Sequence, residues 1–287
     1  MTNSTDSANL DARMSRVQAP PVVVAVVVHQ PCPWLEEVVT SLASQDYPNL
    51  QTLFFVTSST SSTSSTSSTS SASTAETEII RHTLPAAVIR QVEGNPGYGP
   101  LMNEVSRLVE GESGFFCFMH DDVALDSNAI SSMIEEMFRS NAGVVGPKIV
   151  MWDDVSVLQS VGLGADRIGD ISPIVEQGEK DQEQHDAVRD VFLVPSACML
   201  VRADLFREIG GFSPDMPLFG EDLDFCWRTH LSGARVLVVP TARARHRKEM
   251  DATRSVATMS ALEARHRVRT DATLSGRVQL PVVLVQL

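Results

Sequence analysis

Seven consecutive residues, Val22-Val23-Val24-Ala25-Val26-Val27-Val28, constrain this chain more than any other segment. A strand with one wet face alternates apolar and polar residues, whereas an unbroken apolar run means that both faces are covered. Cover on both faces calls for helices above and below the sheet, and so for crossover connections between parallel strands. The next residues agree. Trp34, Leu35, Val38, Val39 and Leu42 recur at helical spacing over residues 33–44, and residues 53–56 return to strand character, which makes a βαβ opening.

The alternation continues along the chain. Strand-like stretches lie at 86–92, 115–119, 144–151, 191–201 and 236–239, and helical ones at 101–109, 127–140, 203–209 and from Glu221 to about residue 231. Residues 153–188 are polar and rich in glycine and acids, and read as an excursion with short strands. The expected class is therefore α/β, with a mostly parallel sheet flanked by helices. Residues 1–19 carry little apolar periodicity and read as a disordered tail. Residues 57–74 contain a Thr-Ser-Ser period of three that cannot bury enough surface to offset its ordering entropy; they are expected to form a disordered loop inserted in one domain spanning 20–250.

Charge narrows the partners. The formal net charge is −13, which argues against a general nucleic-acid binder, because a phosphate backbone needs a basic face. An anionic substrate would need local help from a metal or from clustered bases, of which Arg243, Arg245, His246, Arg247 and Lys248 are the densest group. Four cysteines, Cys32, Cys117, Cys198 and Cys226, form no CxxC pair, which fits a reducing compartment. Residues 251–287 are an extension ending in the apolar Leu280-Pro281-Val282-Val283-Leu284-Val285-Gln286-Leu287, a pattern compatible with a chain that continues, including into a membrane region or partner.

Two acidic clusters carry the chemistry. The run Phe115-Phe116-Cys117-Phe118-Met119 ends in His120-Asp121-Asp122, so an apolar strand delivers two carboxylates at its carboxyl end, where α/β folds hold cations and phosphates. Later, Gly220-Glu221-Asp222-Leu223-Asp224-Phe225-Cys226-Trp227-Arg228 interleaves three acids with large apolar residues, and a part-buried carboxylate is costly unless it has a partner or a task. Each has a plainer explanation. Acids favour helix amino termini, and either cluster could be a cap complementing the dipole; a cap, however, needs only one acid. His246 could equally be a surface histidine.

The order of these segments resembles the family 2 glycosyltransferases, which have the GT-A fold and use nucleotide-activated sugars. The resemblance is carried by the first strand and its helix, Gly97-Tyr98-Gly99 with Asn103, His120-Asp121-Asp122-Val123, Gly210-Gly211-Phe212, and Gly220 through Arg228. It implies an inverting transfer from a nucleotide-diphosphate sugar to a hydroxyl of a saccharide or lipid-linked acceptor, in cell-envelope synthesis, in the cytoplasm or at the inner face of the plasma membrane. It implies Mg²⁺ or Mn²⁺ held by Asp122 and His246, and a donor approached by His29, Gly97, Asn103 and Asp121. Asp222 corresponds to the general base, with Glu221 and Arg228 positioning it.

Two departures from the family pattern stand out. Thr57 occupies the place of an aspartate that reads the nucleotide base, which puts base recognition in doubt, and His120 replaces the first acid of the metal-binding triplet. Two other functions compete. A non-catalytic module descended from the transferase is compatible with the missing aspartate, and a nucleotidyltransferase would need a Gly-rich loop after the first strand, where His29-Gln30-Pro31 stands instead. A dinucleotide oxidoreductase is disfavoured because Pro96 and Pro100 spoil the G-x-G-x-x-G spacing.

Overall fold

A computed structural model describes residues 19–29, 32–58, 69–109, 114–165, 171–216 and 219–248. Apart from Ala19, the tail expected over 1–19 and the extension over 251–287 lie outside them. In chain order the first half comprises β1 (Val22–Val28), α1 (Leu35–Ala43), β2 (Leu50–Ser58), α2 (Thr69–Thr83), β3 (Val88–Glu93), α3 (Tyr98–Leu108), β4 (Phe115–His120), β5 (Val123–Leu125) and α4 (Ala129–Ser140). The second half comprises β6 (Val144–Met151), β7 (Leu158–Ser160), β8 (Leu163–Ala165), β9 (Ile171–Pro173), β10 (Arg189–Asp190), β11 (Cys198–Arg202), α5 (Ala203–Glu208), α6 (Glu221–Leu231) and β12 (Val236–His246).

The main sheet has the order β10-β12-β6-β11-β4-β1-β2-β3. Strand β1 is buried along its whole length and pairs in parallel with β2 and β4, as its unbroken apolar run requires. Its side chains alternate between two cores. Val22, Val24, Val26 and Val28 pack with Leu35, Val38 and Val39 of α1 and Ile130 and Met133 of α4. Val23, Ala25 and Val27 join Leu101, Met102 and Val105 of α3 and Phe225 of α6. Each such side chain contributes about 1.5–3 kcal/mol on burial, so the three-layer α/β/α arrangement follows from the pattern.

Topology brings three strand ends to one edge. Strands β1, β2, β3 and β4 run in parallel, as do β6 and β12, and the antiparallel β11 joins the two blocks. The carboxyl ends of β1, β4 and β12 therefore point the same way, and the start of β11 meets them, with Cys198 opposite Met119. Ligands of open α/β sheets bind at such an edge.

Two segment expectations change. Strand β12 was expected to stop at Val239, before Pro240, but it runs on to His246, with a register irregularity between Val239 and Arg243. Proline lacks an N–H and is tolerated where the ladder is already broken. The second change concerns the tract at 57–74. Strand β2 keeps pairing with β3 through Thr57 and Ser58, and α2 begins at Thr69, so both flanks of the expected disordered loop are regular; its centre, 59–68, lies outside the described residues. Ladder bonds and the packing of Glu76, Thr77 and Ile80 of α2 outweigh the weak local preference of Ser and Thr.

Candidate active site

His120, Asp122 and His246 offer three ligand atoms that lie within 4.8 Å of one another. His246 Nε2 is 3.3 Å from Asp122 Oδ1, and His120 Nδ1 is 3.9 Å from the same oxygen. Strand pairing makes this meeting: β12 carries His246 opposite Val123, the residue after Asp122, and the main-chain N–H of Arg247 donates to the Asp122 carbonyl at 3.0 Å. Alternation along β12 puts Ala242, Ala244 and His246 on its buried side, while Arg243 and Arg245 are only half-buried.

A cation bound at about 2.0–2.2 Å by nitrogen and oxygen ligands sets neighbouring ligand atoms about 3–4 Å apart. The spacings around Asp122 fit that requirement, and two imidazoles with one carboxylate form a usable donor set. Gln159 on β7 supports it. Its amide nitrogen donates to the His246 carbonyl at 3.2 Å, and its oxygen faces His246 Nδ1 at 2.7 Å. Tyr98 packs edge-on against His120, ring centres 4.9 Å apart. Burial pushes His120 down to about 4, with Asp122 acting in the opposite direction and His246 and His29 reinforcing the fall, so its ring is neutral at pH 7.

Asp121 sits beside this set and faces β1: the His29 main-chain N–H donates to its Oδ2 at 2.6 Å. The Cys32 thiol donates to its carbonyl oxygen, and burial together with Asp121 and Asp122 pushes that thiol well above its ordinary range. The four cysteines are all free and buried. Thr57 donates its hydroxyl to the Val28 carbonyl at 3.1 Å and is itself buried.

The second acidic cluster is tied to the first through Ser196, two residues before β11. Tyr98 donates its hydroxyl to the Ser196 carbonyl at 2.9 Å, and His120 N–H donates to Ala197 at 3.0 Å. Ser196 Oγ donates to Glu221 Oε1 at 2.8 Å, and Ser196 N–H donates to Asp222 Oδ2 at 3.2 Å. The two carboxylates differ in access: Glu221 is buried and Asp222 is half-buried. Loss of water around Glu221, reinforced by the Asp222 charge, pushes its carboxyl up to about 8. Burial also raises Asp222, against the pull of the Ser196 and Leu223 N–H groups that favour its charged form.

Three expected site residues have other work. Asn103, expected at the donor, spends its amide on Phe212: Nδ2 donates to the Phe212 carbonyl at 2.8 Å, and Oδ1 accepts from its N–H at 2.9 Å. The neighbouring Gly211 has φ +69°, and any side chain there would strike Asn103. Arg228, expected to position Asp222, instead pairs with Asp224 (Nε to Oδ2, 2.9 Å) one turn back and donates to the Ile209 carbonyl at 2.7 Å. Gly97, at φ +104°, begins α3 and so aims Tyr98 at His120 and Ser196. The basic run is engaged too: Arg243 lies 3.6 Å from Asp181, and Arg245 pairs with Glu37 and lies over Trp152. Sequence reading did not place His120 in the candidate donor set, nor Gln159 and Ser196 beside it; only His120 had a signal, its place in the acidic triplet.

Comparison with known proteins gives the family and the fold. The family described as glycosyltransferase like family 2 matches residues 20–270. The pre-mycofactocin glycosyltransferase of Mycobacterium tuberculosis is 27% identical over 150 residues, which are 52% of this chain and 30% of the relative, so the match spans under a third of that protein. Among solved structures, GalNAc-T7 with UDP, GalNAc and Mn²⁺ superposes with a TM-score of 0.60 at 13% identity, covering 79% of this chain and 43% of that one. The mannosyltransferase PcManGT of Pyrobaculum calidifontis, in complex with GDP-Man and Mn²⁺, has a TM-score of 0.58 at 17% identity, covering 94% and 70%. At these identities the two structures speak for the fold.

Proposed function

Because this chain belongs to the glycosyltransferase like family 2 and carries a GT-A glycosyltransferase fold, we propose that it is an inverting, cation-dependent enzyme moving a sugar from a nucleotide diphosphate to an acceptor hydroxyl. The observation that carries the reading is the unequal access of Glu221 and Asp222 beside a cation-ready set of His120, Asp122 and His246.

Asp222 is the proposed base. Asp222 is only partly buried and so could meet an acceptor, while two main-chain N–H groups, from Ser196 and Leu223, hold its oxygens in place. It takes the proton of the acceptor hydroxyl as that oxygen bonds to the anomeric carbon and the bond from that carbon to the diphosphate oxygen breaks. One displacement inverts the carbon. Glu221 is buried against Ser196, and burial together with the Asp222 charge pushes its carboxyl up, which favours its neutral form beside the base. Mg²⁺ or Mn²⁺ held by Asp122, His246 and His120 would bind the diphosphate and offset the charge left on it. Asp121 and His29, hydrogen-bonded to each other at the ends of β4 and β1, would face the nucleotide in this reading.

The acceptor proposed is a hydroxyl of a saccharide or lipid-linked saccharide of the cell envelope, the class the sequence resemblance implies. Among the described residues no helix is long and apolar enough to cross a membrane.

A panel of nucleotide sugars titrated with and without Mn²⁺ into wild type, Asp122→Ala and Asp222→Ala tests the reading. Cation-dependent binding should vanish in Asp122→Ala, whereas Asp222→Ala should bind donor and lose turnover. Binding by no member of the panel would favour the non-catalytic alternative.

A further inference from the structure

Tyr98 touches both halves of the candidate site. It opens α3 directly after Gly97 and is 2% exposed. Its ring stands edge-on to His120, with centres 4.9 Å apart, and its hydroxyl donates to the Ser196 carbonyl at 2.9 Å. Ser196 in turn reaches two acids of α6: its N–H donates to Asp222 Oδ2 and its Oγ to Glu221 Oε1. The next carbonyl, that of Ala197, accepts the His120 N–H at 3.0 Å. Gly220 gives α6 no side-chain cap, so the bonds from Ser196 also hold the first turn of that helix. Asp222 therefore takes its position from the turn at 195–198, which is itself anchored to Tyr98 and His120.

We propose that Tyr98 is a positioning residue for the base: its hydroxyl fixes the Ser196 turn, and so the oxygens of Asp222, relative to the histidine its ring packs against. The inference rests on the reading of Asp222 as the base. A buried phenol needs an acceptor, and many would serve; this acceptor belongs to the residue that holds both acids. Burial, with the Glu221 and Asp222 charges acting the same way, pushes the phenol well above its ordinary range, so it stays protonated and remains a donor. Proton transfer requires the acceptor hydroxyl within hydrogen-bond reach of the base as the anomeric carbon is attacked. A misplacement on the order of 1 Å costs up to about 100-fold in rate.

The test is Tyr98→Phe in the full chain, which keeps the ring and removes the hydroxyl. Mn²⁺ titrated by calorimetry into metal-free protein should bind as in wild type. Release of nucleoside diphosphate from a panel of UDP- and GDP-sugars should show an unmoved KM and a kcat reduced by about 10–100-fold. Adding Tyr98→Phe to Asp222→Asn should slow the enzyme no further, because the hydroxyl acts through the base. By NMR of metal-free protein, the Ser196 amide proton, held by the Asp222 carboxylate, should move upfield in Tyr98→Phe. A wild-type kcat, additive losses with Asp222→Asn, or an unmoved Ser196 amide would each overturn the inference. Failure of the underlying reading looks different: wild type itself would release no nucleoside diphosphate from any member of the panel, while the Ser196 amide would still respond to Tyr98→Phe.

Discussion

Ser196 Oγ donates to one oxygen of Glu221 at 2.8 Å, while the other, Oε2, is buried with no hydrogen-bond partner among the described residues. A charge on such a group is costly, and burial, with Asp222 adjacent, pushes Glu221 from 4.5 up to about 8. The folded state therefore keeps a proton that the unfolded chain releases near its ordinary value. Between those two values the native state binds more protons, so this residue makes stability fall as pH rises. Glu221→Gln preserves the shape and removes the titration, abolishing a loss on the order of a few kcal/mol. Urea midpoints at pH about 5 and about 8.5 should converge in the variant and separate in wild type; parallel behaviour would sink the assignment.

Asn103 is expected to matter for stability and not for the cation. Its amide satisfies both main-chain groups of Phe212, whose ring is buried against Phe118, Phe206 and Phe225. Asn103→Ala leaves both groups without this partner, at a cost of about 2–3 kcal/mol. Thermal melting should fall accordingly while the Mn²⁺ affinity stays at the wild-type value. A variant that melts normally but loses cation or nucleotide binding would return Asn103 to the donor site.

Which parts were legible in the sequence has a physical pattern. The run Val22–Val28 could be read because burial on both faces leaves no polar residue in it, and the Glu221 helix because acids at a helix start are locally favoured. The extent of β12 was not legible beyond Val239, because the strand continues past Pro240 through a register irregularity that pairing with β6, not local sequence, sustains. Asn103 and Arg228 stood out in the sequence, but their partners, Phe212 and Asp224 with Ile209, are decided by packing of α3 and α6 that no local pattern encodes. Ser196 and Gln159 left no trace at all: each acts through a contact with a residue 25 or 87 positions away.

Lys148 should prove a structural cation. It is buried on β6, with Nζ donating to both oxygens of Asp181 at 3.0 and 3.2 Å and also to Asp186, which pins the 153–188 excursion to the sheet. Burial tends to raise the Asp181 carboxyl, yet the bonds from Lys148 hold it below its ordinary value. Lys148→Met leaves a largely buried carboxylate with Arg243 at 3.6 Å as its remaining cation and should cost up to about 3 kcal/mol; Lys148→Met with Asp181→Leu should recover much of it. A double-mutant cycle by urea denaturation measures the coupling, and strictly additive losses would show that the pair does not act as a unit.

Gln159 is expected to control the cation site without touching the cation. Its nitrogen is committed to the His246 carbonyl, so its oxygen faces the ring, and an oxygen there is satisfied only by a proton on Nδ1. That fixes the tautomer and leaves the Nε2 lone pair directed at the space beside Asp122 Oδ1, 3.3 Å away. Gln159→Leu frees the ring to take the other tautomer or to turn, and should weaken Mn²⁺ binding by about 10–100-fold with the fold intact. Gln159→Glu keeps an acceptor for Nδ1–H and should recover most of the affinity. In metal-free protein, nitrogen chemical shifts of His246 report the tautomer directly: wild type and Gln159→Glu should show Nδ1 protonated, and Gln159→Leu a mixture. Unchanged Mn²⁺ affinity in Gln159→Leu would mean that Asp122 and the rigid end of β12 orient His246 unaided.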